Sequence, residues 1–127
     1  MNADHQPPTA SEEAELWFSA FVDALATAAA DPDLQCEKMS NHNVAWEIKD
    51  DLLRGDNLLG TGLLTGSQER EWTALHDLVQ KIPQEILVAA RTYDANHKAM
   101  THKSWKTVRL AASHLLLQLG RKPIADD

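Results

Sequence analysis

The stretch Ser104-Trp-Lys-Thr-Val-Arg-Leu-Ala-Ala-Ser-His-Leu-Leu-Leu-Gln-Leu-Gly120 decides the fold class. Trp105, Val108, Ala111, Ala112, Leu115, Leu116 and Leu119 recur at intervals of three and four, which places them on one face of an α-helix. Thr101 or Ser104 is the expected cap. Gly120 is the expected stop, because glycine adopts the left-handed conformation that closes helices. Arg121 and Lys122 then fall near the negative end of the helix dipole, with Pro123 beyond.

The same period runs upstream. Thr9 and Glu12 have capping-box spacing, and Trp17, Phe18, Phe21, Val22, Leu25 and Ala28 predict a helix from about Ser11 to Ala30. Asp31-Pro32-Asp33 is expected to end it, since proline lacks an amide proton and restricts the residue before it. A second helix is predicted to start after Asn41 or Asn43, either of which can cap, and to stop at Gly55. Its core stripe is Val44, Ala45, Ile48 and Leu52. Residues 56–66 hold three of the five glycines and two Leu-Leu pairs, and read as a loop whose leucines tuck under the bundle. Ser67 is expected to cap a third helix carrying Trp72, Leu75, Leu78, Val79 and Ile82. Pro83 breaks it, Ile86, Leu87 and Ala90 continue as a fourth, and polar Asp94-Ala95-Asn96-His97 leads to the last. β-branched alternation over four or more residues occurs nowhere. The expected architecture is an all-α, single-domain bundle of four to five helices over residues 9–120, between flexible tails at 1–8 and 121–127.

Composition agrees with one ordinary core. The chain has 127 residues, 43% hydrophobic and 24% charged, close to globular averages and unlike a disordered or collagenous chain. Its most apolar windows, Ala24 to Ala30 and Leu115 to Leu119, fall far short of the ~20 residues that span a bilayer. The single cysteine, Cys36, cannot form an internal disulfide, and nearby Asp31, Asp33 and Glu37 would raise its pKa. The acidic, polar start lacks the pattern of a secretory signal, so a cytoplasmic location is expected.

Charge is spread unevenly. Twelve Lys and Arg stand against 19 Asp and Glu, a net of −7. Residues 1–66 carry three basic and twelve acidic side chains, a net of −9, whereas residues 67–127 carry nine and seven, a net of +2. Within the second half, Arg91 to Lys122 holds seven basic residues against Asp94 alone. Either the halves complement each other within one fold, or two oppositely charged surfaces meet different partners.

Two helices carry more apolar surface than one face requires. Leu110 and Leu117 lie on a separate stripe of the last helix beside Lys103 and Lys106, and are candidates for self-association as a homodimer. On the second helix, Trp46 and Leu53 lie off the core stripe and border Glu47, Asp50 and Asp51. Aromatic side chains beside charged groups are what binding hot spots favour.

Groups for chemistry are sparse. Six histidines are present, but His97 and His102 are five apart and no Glu-x-x-His or His-Glu-x-x-His occurs, so no metal or cofactor is expected. His76 falls at the edge of the third helix's apolar arc, and His114 opposite that of the last. Gly60-x-Gly62 lacks the preceding strand and following Gly-Lys of a phosphate loop. Glu12-x-x-Glu15 and Glu47-x-x-Asp50 are similar to the carboxylate pairs with which MazG-type nucleotide pyrophosphohydrolases hold magnesium. A helical wheel, however, places both pairs opposite their apolar arcs, as solvated faces. Arg91-Thr-Tyr-Asp-Ala-Asn-His97 has the Arg-x5-His spacing found in HEPN-type domains, helical bundles that often cleave RNA. That resemblance implies His97 moving the 2′-hydroxyl proton and Arg91 stabilising the phosphorane, with the basic segment drawing in RNA.

The expected function is therefore a surface rather than an active site. A small, acidic helical bundle with surplus Trp and Leu stripes suits binding and neutralising a basic partner protein, as immunity proteins, antitoxins and phage-encoded inhibitors do. The expected contact residues are Trp46, Glu47, Asp50, Asp51, Leu53, Arg54 and Asp56. The HEPN-like ribonuclease using Arg91 and His97 is the alternative, and the MazG-like hydrolase the third possibility.

Overall fold

The computed structural model describes residues 10–87 and 89–120, and all regular structure among them is helical. The expected cap at Thr9, the segments 1–8 and 121–127, and with them Arg121 and Lys122, lie outside the described residues. Six α-helices are present: α1 Ala10–Ala29, α2 Pro32–Lys38, α3 Val44–Leu53, α4 Gly66–Gln80, α5 Tyr93–Met100 and α6 Lys103–Gln118. Two 3-10 turns, Arg54–Leu58 and Gln84–Leu87, complete the set.

The count exceeds the expected four to five for local reasons. Pro32 does end α1, but it also stands at the first position of α2, where its missing N–H costs nothing. The polar run 94–97 is not a break. Thr92 accepts the amide of Ala95 at 3.2 Å and starts α5 there. Conversely, the expected fourth helix through Ile86, Leu87 and Ala90 is only the second 3-10 turn, followed by non-helical backbone at 89–91.

Helix starts differ from expectation in mechanism more than in place. α4 is capped by Thr65 rather than Ser67: Thr65 Oγ1 accepts the Gln68 amide at 3.1 Å, and Gln68 Oε1 accepts the Thr65 amide at 2.9 Å. At α6 the cap is His102, whose Nδ1 accepts the Ser104 amide at 3.1 Å. α3 begins after Asn43 as expected, yet Asn43 makes no capping bond and sits in the left-handed region at φ 45°.

α6 packs along α1 on one side and α4 on the other, while α3 and the first 3-10 turn cover another part of α1. α2 and α5 pack against each other, and α5 also meets α3. The core is continuous through Phe21, Leu25, Ile48, Leu52, Trp72, Leu75, Trp105, Val108, Leu115 and Leu116. Each such side chain contributes roughly 1.5–3 kcal/mol on leaving water. Leu58 and Leu64 tuck under the bundle as expected, but Leu59 and Leu63 do not. Gly55, the expected helix stop, lies inside the 3-10 turn and is buried against Phe21 and Trp72. No helix of the described residues is long and apolar enough to cross a membrane.

Candidate functional site

α1 supplies one wall of a groove. Trp17 was expected on its buried face but is 41% exposed, because the apolar arc of α1 is wider than the surface α3 and α6 cover. It lines a space of about 260 Å³ together with Phe21, Asp23 and Thr27 of α1, Lys38 and Met39 at the end of α2, Asp51 of α3 and Arg54 at the start of the first 3-10 turn. Leu16, 64% exposed, and Ala20 extend its apolar rim along α1.

The charges in this groove are arranged in pairs with one left over. Lys38 Nζ meets Asp23 Oδ1 at 2.8 Å, tying α2 to α1. Arg54 Nη2 meets Asp50 Oδ2 at 3.1 Å along α3. Asp51 has no hydrogen bond and no ion pair among the described residues. Burial pushes its carboxyl above the usual value of 3.8; Arg54 pulls it down, and Glu47, Asp50 and Asp23 push it further up.

The expected contact residues of α3 and the 3-10 turn after it are divided between two flanks. Asp51 and Arg54 face the groove. Trp46, 48% exposed, stands on the other flank of α3 beside Asn43, Leu87 and Ala89. Glu47 and Asp50 are half-buried, and Leu53 packs partly against the core. Asp56 is engaged within the fold: its Oδ1 accepts the Trp72 indole N–H at 2.9 Å, and its Oδ2 lies 3.3 Å from His76 Nε2. Trp17, Asp23, Lys38 and Met39 were missed by sequence reasoning. For Trp17 the signal was the surplus breadth of the α1 arc, to which Leu16 and Ala20 also belong; for Asp23, Lys38 and Met39 the sequence carries none.

Arg91 and His97 share no hydrogen bond, ion pair or ring contact among the described residues. Arg91 lies in the non-helical segment before α5, exposed, without a hydrogen bond or ion pair among the described residues. His97 lies within α5, with Nε2 3.2 Å from Asp33 Oδ1 of α2 and its ring stacked on Tyr93 at 5.2 Å. The Tyr93 hydroxyl donates to the same Asp33 carboxylate, and this bond chiefly holds its pKa up at about 12. The carboxylate of the first half therefore pairs with the histidine of the Arg-x5-His motif.

Other candidates also find internal partners. Arg109, one of the basic residues of the 91–122 segment, is part-buried and donates to the carbonyls of Ala30 and Met100, each at 3.0 Å. Burial lowers its pKa, which nearby Asp31 partly offsets. Cys36 is fully buried, and burial ahead of Asp33 raises its thiol. No group of three or more His, Cys, Asp or Glu placed to hold a metal ion occurs among the described residues, so the Glu12/Glu15 and Glu47/Asp50 pairs do not converge on one. Leu110 and Leu117 are 66% and 57% exposed. No family model, no curated protein and no solved structure matches the chain.

Proposed function

We propose that this chain is a protein-binding module of the immunity or antitoxin kind, in which the acidic surface of α3 and α1 engages and neutralises a basic partner protein in the cytoplasm. One observation carries it. α3 presents Glu47, Asp50 and Asp51 with an exposed indole on each flank, Trp46 on its own surface and Trp17 across the groove. Negative potential speeds encounter with a basic surface, and buried indoles slow release. Leu110 and Leu117 offer a further surface for a second copy of the chain, which light scattering of wild type against Leu110→Lys/Leu117→Lys reads directly.

The test uses the full chain as bait, with Asp50→Lys/Asp51→Lys in parallel. A partner of basic isoelectric point recovered by the wild type alone, with an association rate that falls steeply as salt rises, supports the proposal. Equal recovery by both baits, or a rate indifferent to salt, overturns it. RNA fragmentation by the wild type, lost in Arg91→Ala/His97→Ala, would replace it with the ribonuclease-like alternative.

A further inference from the structure

Asp51 is the unbalanced group of the α1–α3 groove. The two cations that line the same space are already tied to other carboxylates, Lys38 to Asp23 and Arg54 to Asp50. Asp51 is thus a partly desolvated carboxylate with neither hydrogen bond nor ion pair among the described residues, at the side of an exposed indole. Partly buried charge is costly until it is paired, so a site of this kind gains by taking up a cation.

The size of the space narrows the occupant. At about 260 Å³ it falls below the roughly 300–1,000 Å³ of pockets for whole small-molecule ligands and suits one side chain. Trp17, Phe21 and Met39 supply apolar walls for an aliphatic stem, and the flat indole favours a planar cation over a spherical ammonium.

We infer that the groove is the seat of one arginine side chain of the basic partner, its guanidinium lying against Trp17 and donating to the Asp51 carboxylate. This deepens the proposed function and rests on it. Asp23, at the opposite wall, is paired with Lys38 and leaves Asp51 as the carboxylate open to an incoming cation. Trp46 takes no part, because it faces away across α3.

The experiment titrates the full-length, isotope-labelled protein with a short peptide of alternating arginine and serine, against lysine–serine and glutamine–serine counterparts, and follows the tryptophan indole N–H signals by NMR. Trp17→Phe assigns the Trp17 signal. The expected result is a saturable shift of the Trp17 indole by the arginine peptide, with the Trp46 indole unmoved. Asp51→Asn should weaken that binding about fivefold to tenfold. Thermal melts of each variant separate lost binding from lost fold.

A shift of the Trp46 indole without Trp17, or equal affinity in Asp51→Asn, overturns the groove as the seat while leaving the acidic face as the binding surface. Equal binding of the lysine peptide overturns the guanidinium assignment. Failure of every basic peptide overturns the inference by itself. The proposed function falls with it only if Asp50→Lys/Asp51→Lys also recovers the same proteins as the wild-type bait.

Discussion

The amide of Val44, first residue of α3, donates to Oδ1 of Asn96 at 2.8 Å, so that helix is capped by a side chain 52 residues further along the chain. The Asn96 amide group in turn donates to the carbonyls of Asn41, Ala90 and Thr92 at 2.8, 3.1 and 2.8 Å, its two hydrogens serving three acceptors. Asn43 completes the clamp: its amide donates to the Ala90 carbonyl, and its side-chain oxygen accepts the Ala90 amide, both at 2.8 Å. This polar knot joins α3, which carries the proposed binding face, to α5. Removing it by Asn96→Ala leaves the buried Val44 amide and the Asn41 carbonyl without a partner among the described residues, while the Ala90 and Thr92 carbonyls keep the amides of Asn43 and Asn96, at a cost of about 2 kcal/mol. Asn96→Asp keeps the acceptor for Val44 but sets a buried carboxylate oxygen against three carbonyl oxygens, and should cost at least as much as the alanine change at neutral pH. Urea unfolding of the two variants measures the order; an alanine variant within about 0.5 kcal/mol of wild type would show that water replaces the clamp.

Gly55 is required by space rather than by backbone freedom. A Cβ built there meets Phe21 Cε1 at 2.6 Å and Trp72 Cζ2 at 3.1 Å, both from rigid rings. Those rings pack edge to face with centroids 5.1 Å apart, so neither can yield alone. Gly55→Ala should destabilise by roughly 1–3 kcal/mol through overpacking. Phe21→Leu opens that space, so the double variant should cost less than the two single changes summed. A double-mutant cycle by denaturant unfolding gives the coupling, and strict additivity would mean that the turn moves away as a unit.

Helical class, the buried stripes of α3, α4 and α6, and the start of α3 were legible because each rests on local spacing. The causes behind several boundaries were not. A proline that forbids continuation of one helix is equally suited to begin the next, and only packing of α2 on α5 decides between the two. The run 94–97 looks like linker because three of its side chains are polar, yet Asn96 is polar in order to bond backbone from three segments. Arg109 reads as one more surface charge in a basic segment, whereas it closes the ends of α1 and α5. In the sequence Trp46 and Asp51 read as one surface; the turn of α3 sends them to opposite flanks. Trp17 reads as core because a wheel shows which face is apolar, not how much of it a neighbour covers.

Tyr93 is the only tyrosine in the chain, so its titration can be followed without interference. Tyrosinate absorbance should appear near pH 12 rather than the ordinary 10, chiefly because the hydroxyl donates to Asp33 and a carboxylate cannot return that bond to a phenolate. Since the folded value lies above the unfolded one, the neutral phenol is favoured by folding. This contribution is present below about pH 10 and is lost as pH rises from about 10 to about 12. Asp33→Asn should bring the titration back towards the ordinary value, and Tyr93→Phe should flatten that part of the stability profile. A midpoint near 10 in the wild type would remove the Tyr93–Asp33 bond from solution.

His97 stacks on Tyr93 and faces the same Asp33, so the three side chains together fasten α5 to α2. His97→Ala should loosen this corner, and with it the end of α2 that brings Lys38 and Met39 to the groove. Hydrogen exchange is the suitable probe, because it reports opening element by element. Amides of α5 and α2 should exchange faster in the variant while those of α4 and α6 keep their protection. Uniform acceleration across all helices would instead assign His97 to global stability.

Asp51 should act in the opposite sense to a stabilising carboxylate. Burial raises its folded-state pKa above 3.8, so the unfolded chain ionises more readily and the charged group opposes folding at neutral pH. That penalty is fully present above the raised value and disappears as pH falls through it towards 3.8. Asp51→Asn, which keeps the shape and removes the charge, should therefore unfold at a higher temperature than wild type at pH 7. The difference should shrink as the solution is acidified into the ordinary carboxylate range. A variant less stable at pH 7 would mean that the attraction of Arg54 outweighs burial, and the carboxylate would then be satisfied without an incoming cation. A gain in stability, accompanied by loss of arginine-peptide binding, is the combination expected of a group kept for a partner rather than for the fold.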